Sequence, residues 1–218
     1  MVAKVPYNLT DDVSLVVHLL AKRVPQLVHL RPGQIIHGIT QARNRSRYGV
    51  FAECHGLRFR HGKREQLAGK HAWLWPEVRV RGQEILYYIT YYLPRFLDQV
   101  PAQRLNTLVH ELWHISPRFD GDLRRFAGRN EFHGGSFDRE VDALCQAALE
   151  QLDVERFPFL RWSFEELVER FGGVVGARLR RFKPRRVHPS EIPTSLAVSP
   201  GLPLLPRHAG SQKQLFAW

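Results

Sequence analysis

Residues 101–115 read PAQRLNTLVHELWHI, and this stretch decides how the rest of the chain is understood. Leu105, Leu108, Val109 and Leu112 recur at i, i+3, i+4 and i+7, the spacing of one apolar helix face. Pro101 suits a helix start and Pro117 a stop. Within that helix, His110-Glu111-Leu112-Trp113-His114 has the form HExxH. Side chains four apart share a face, so both imidazoles can hold one Zn²⁺ while Glu111, one residue round, reaches a water on the metal. With that water acidified and a carbonyl polarised, Glu111 as proton acceptor makes peptide hydrolysis the natural reaction class.

A catalytic zinc takes three protein ligands and keeps a fourth position open. The elongated pattern HExxHxxGxxH is absent, because Pro117 and Asp120 stand where its Gly and third His belong, and Met1 is the sole methionine, so there is no Met-turn. The candidates for the third ligand are His133, Glu131, Asp120, Asp122 and Glu140.

Outward from this helix, the chain predicts an α+β fold. A first helix is expected from about Leu9 to Val24, with Leu15, Val16, Leu19 and Leu20 at helical spacing, Asn8 or Thr10 as cap and Asp11 and Asp12 in the first turn. Short strands follow at Gln34 to Thr40, Tyr48 to Glu53 and Val78 to Arg81, and Ile85 to Tyr92 (ILYYITYY) forms another. After the HExxH helix, Ser136 can cap a helix with Val141, Leu144, Cys145, Ala148 and Leu152 inward. Ser163-Phe164-Glu165-Glu166 has capping-box form and opens a last short helix before Gly172-Gly173.

His133-Gly134-Gly135-Ser136-Phe137 has the form HGxxF. HExxH, a connection of moderate length and then HGxxF at a helix start resembles the SprT-like, or Spartan-like, metallopeptidases and their minimal zincin relatives, phage-type metallopeptidases among them. The resemblance covers roughly Gly33 to Leu152. It implies a zincin-like fold with His133 as third zinc ligand beside His110 and His114, and Glu111 as catalytic base. Glu140 is the runner-up ligand, as in zincins that use a glutamate. In zincins generally the strand before the active helix pairs with substrate backbone, here Ile85 to Tyr92 with Tyr87, Tyr88, Tyr91 and Tyr92. The family also implies work near DNA, on proteins crosslinked to it. The chain departs from the family in lacking a cysteine-rich zinc ribbon and in carrying Trp113 where a small residue is frequent.

The net charge of +11 and pI near 10.2 point to an anionic partner, of which nucleic acid is the commonest. Much of that charge lies beyond residue 177, where eight Lys and Arg stand against Glu191 alone. This Pro-rich stretch is expected to form an extended or disordered basic tail (residues 177–218) behind a catalytic domain (residues 1–176). A second basic region interleaves His55, His61 and His71 with Arg58, Arg60, Lys63, Arg64 and Lys70, and reads as a solvated loop or phosphate contact. Near the end, Gln212, Leu215 and Phe216 have the form QxxLF, which resembles the peptides that dock on the bacterial sliding clamp. Two cysteines, Cys54 and Cys145, cannot build a disulfide framework. With no secretory signal and no apolar run of about 20 residues, an intracellular, cytoplasmic location without membrane contact is expected. Two other readings stand beside the peptidase of protein substrates: a nucleic-acid-binding or adaptor protein with a structural zinc, and a regulatory peptidase that cleaves one repressor.

Overall fold

The computed structural model describes residues 4–44, 46 and 48–192, and the backbone of 202–203. Asn8 accepts a hydrogen bond from the Asp11 N–H at 3.4 Å, and Asp11 and Asp12 lie in the first turn, where carboxylates oppose the helix dipole. The helix α1 (Leu9–Arg23) that they start buries Leu9, Val13, Val16, Val17 and Leu20. Leu15, expected on the inner face, is instead 38% exposed.

Strand β1 (Tyr7–Asn8) precedes α1. After it come β2 (Ile35–Gln41), β3 (Ala52–Gly56), β4 (Glu65–Ala68), β5 (His71–Leu74), β6 (Val78–Val80), β7 (Gln83–Glu84) and β8 (Tyr87–Leu93). The helices α2 (Pro101–Trp113), α3 (Phe137–Gln151), α4 (Pro158–Arg161) and α5 (Phe164–Phe171) follow, then β9 (Val174–Val175), β10 (Arg185–Val187) and β11 (Leu202–Pro203). The fold is therefore α+β.

Three strands make the sheet that carries the site, in the order β2, β8, β3. β8 runs parallel to β2, with Ile35 opposite Tyr87, and antiparallel to β3, with Cys54 opposite Ile89. The strand ILYYITYY thus lies in the middle of the sheet. Both its edges are taken, so it cannot pair with a substrate as the resemblance implied; β3 holds the outer position instead. Tyr87, Ile89 and Tyr91 on one face join the main core with α1, α2 and α3, whereas Tyr88 faces the other way, towards Leu57, Val78 and Ile85.

α2 buries Leu105, Leu108, Val109 and Leu112 against this core, each worth roughly 1.5–3 kcal/mol when fully removed from water. Arg104 on the same helix is also buried, and its guanidinium donates to the carbonyls of Gln99, Phe159 and Trp162. That ties α2 to the α4 region. α3 begins without a side-chain cap from Ser136. The capping box at Ser163 and Glu166 is formed, and Gly172 ends α5 in the left-handed region.

The stretch expected as a tail is folded at its start. Ala177 accepts from the Ile39 N–H at 2.8 Å, Phe182 packs edge-on against Tyr88, and β10 pairs antiparallel with β5. Leu179, Phe182 and Val187 supply the apolar contact that the Arg-rich composition masks. Apart from the backbone of 202–203, residues 193–218, including the QxxLF peptide, lie outside the described residues.

Candidate metal centre

α2 and its C-capping residue place His110 and His114 on one face one turn apart, and the turn before α3 brings His133 to them. His114 Nε2 lies 3.2 Å from His110 Nε2, and His133 Nε2 lies 3.3 Å from the same atom. All three donor atoms fall within 4.8 Å of one another, and this is the only such His, Cys, Asp or Glu group among the described residues. Zinc with bonds of about 2.0–2.1 Å at tetrahedral angles holds its nitrogens roughly 3.3 Å apart, so these spacings fit such an ion.

The electrostatics agree with the geometry. Burial, reinforced by the other two imidazoles and Arg124, pushes His114 down to about 3. Burial and the neighbouring His133 also lower His110. Both rings are therefore neutral near pH 7 and present lone pairs, as metal ligands must. His133 is exposed, so the group opens to solvent on one side.

Phe137, at the start of α3, is the floor beneath all three rings. Its centroid lies 4.8 Å from those of His110 and His133 and 4.9 Å from that of His114. Among the described residues His114 Nδ1 is buried without a hydrogen-bond partner, so packing on Phe137 helps to orient this imidazole in place of a carboxylate.

Glu111 is buried on the neighbouring face of α2, and its Oε2 accepts from the Cys54 N–H on β3 at 2.7 Å. Burial outweighs that hydrogen bond and lifts the Glu111 carboxyl to about 7. The carboxyl so poised can take up and release a proton at neutral pH. Nothing in the order of residues joins Cys54 to Glu111; the contact follows from β3 lying on the outer side of β8.

The other ligand candidates are engaged elsewhere. Glu140 Oε2 accepts from Trp113 Nε1 at 2.9 Å, so the glutamate fixes the indole and stays out of the histidine group. Trp113 is held on its other side by the Arg124 guanidinium, 3.5 Å from the ring centroid. Asp122 accepts from Arg125 and from the His61 N–H, Glu131 pairs with Arg125, and Asp120 pairs with Arg118. His55 stacks on Tyr88, and the His71 ring contacts Arg186, so His55, His61 and His71 do not assemble.

No family model, curated protein or solved structure matches this chain. Among the described residues no helix is long and apolar enough to cross a membrane.

Proposed function

We propose that this chain is a zinc-dependent endopeptidase of the SprT-like kind, acting on protein substrates near DNA. The observation that carries the reading is the histidine triad itself, with Nε2 separations of 3.2 and 3.3 Å and one solvent-open side. His110, His114 and His133 would hold the ion, which when bound supplies the Lewis acidity that acidifies water and polarises a carbonyl. Glu111 takes the proton from the attacking water and returns it to the leaving amide nitrogen. The DNA part rests on the net charge of +11 and on the exposed Arg178, Arg180, Arg185 and Arg186.

The test is zinc content and cleavage of a DNA-bound protein and of the same protein free, for wild type and Glu111→Gln. One zinc per chain in both, with hydrolysis only by wild type, is expected. Full zinc in a wild type that cleaves neither substrate would instead favour an adaptor with a structural ion.

A further inference from the structure

The two faces of β3 have different surroundings. On one face Cys54 belongs to the main core beneath α2, and its N–H, turned away from β8, reaches Glu111. On the other face His55 stacks on Tyr88 at 4.5 Å, and beside this pair opens a cavity of about 430 Å³.

That cavity is basic on balance, with one carboxylate, Asp122, beside four cations. Arg58, Arg125, Arg181 and Lys183 line it, with Tyr88 and Phe182 as its apolar wall. Arg58 is paired with Glu84 and Arg125 with Asp122. Arg181 and Lys183 are exposed, and no carboxylate among the described residues pairs with either. The two come from the stretch after β9 that folds back over Tyr88.

The backbone of β3 links the cavity to the metal centre. Residues alternate along a strand, so with the Cys54 N–H pointing outward the polar groups of Ala52 point outward too. An extended peptide added to that edge alternates its own side chains between the two faces. One set would face α2, which packs against β3, and the other would face His55 and the cavity.

We infer that this cavity is a subsite for an acidic side chain, aspartate or glutamate, of a peptide lying along β3. The inference rests on the proposed peptidase reading, and it names the substrate class that the site selects. Two uncompensated cations beside an aromatic wall suit one carboxylate with its short aliphatic stem. A nucleic-acid strand needs a track of cations along the surface, whereas these four gather at one cavity next to a strand edge.

The test is binding by zinc-loaded, full-length Glu111→Gln protein, which holds peptide without cutting it. The probes are fluorescein-labelled octapeptide pools with one central position fixed as Glu, Gln or Lys, and a labelled ten-nucleotide oligothymidylate. The Glu pool is expected to bind about tenfold more tightly than the Gln pool, the size of effect typical of a charged hydrogen-bonded contact. Adding Arg181→Glu and Lys183→Glu, both at exposed positions, should abolish that preference and favour the Lys pool, with an unchanged circular dichroism spectrum. Equal binding of the Glu and Gln pools, absence of binding by any pool, or a preference that survives the double substitution would overturn the inference. So would oligothymidylate binding that the double substitution removes when no Glu preference exists. A Glu preference in a chain whose wild type cuts no peptide would keep the subsite and discard the peptidase reading.

Discussion

The ring of Phe137 stacks on that of His114, with centroids 4.9 Å apart and planes inclined by 30°. Among the described residues His114 Nδ1 has no hydrogen-bond partner, so this contact helps to fix the imidazole from its buried side. Phe137→Leu keeps an apolar side chain in the core but removes the flat surface. Its zinc affinity should fall by about tenfold, the lower end of what losing an orienting partner costs, as read by competition with a chromophoric chelator. Full affinity in a folded Phe137→Leu protein would show that the ring only fills space.

His133 and Glu140 give opposite results. His133→Ala should lose stoichiometric zinc, because two imidazoles compete poorly with water and chelators for the ion. Glu140→Ala should retain it, since the carboxylate is engaged with Trp113, and should change the indole fluorescence instead. Zinc lost from Glu140→Ala alone would reverse the assignment.

Glu111 sets a pH dependence in the zinc-free protein. Its carboxyl titrates at about 7 when folded against an ordinary value of 4.5, so the folded chain holds the proton more tightly. The resulting stabilisation is fully present below pH 4.5 and is lost as pH rises through about 7. Glu111→Gln removes it. Relative to wild type, the variant should gain about 2–3 kcal/mol between pH 5 and pH 8 in urea unfolding. His114 titrates alike in both proteins and cancels. A constant difference across that range would mean that the carboxyl keeps its ordinary value.

Truncations separate folding from charge. A chain ending at residue 192 keeps six of the eight Lys and Arg found beyond residue 177, together with β10 and the Phe182 contact. It should retain most of the salt dependence of DNA binding. A chain ending at residue 176 should lose that dependence and also melt several degrees lower, by differential scanning calorimetry, because Tyr88 and β5 are stripped of cover. Equal melting temperatures would show that residues 177–192 add nothing to the fold.

The helix bearing His110 and His114 was legible because period and motif coincide on one segment, and the capping box at Ser163 because it is local. The first helix was found but its inner face was misjudged: Leu15 and Val13 are both apolar, and only the packed sheet decides which one is buried. β4 and β5 are illegible in the sequence because Glu65–Ala68 and His71–Leu74 are short and mixed in polarity, and β5 gains its second neighbour, β10, from more than a hundred residues away. The sheet order could not be read either. β8 is the most β-prone segment, yet strand position follows from which neighbours reach each edge, a property of the whole chain. The folded start of the tail was hidden by composition, since three apolar contacts outweigh six charges that remain in water.

The hydrogen bond from the Cys54 N–H to Glu111 has one more consequence. The donor that restrains the carboxylate belongs to the edge on which a peptide would lie. A peptide that pairs with Cys54 must displace Glu111, so substrate arrival and release of the base become a single event. Under the proposed peptidase reading, the chain without substrate keeps its base latched, and the key is the backbone of the peptide that binds.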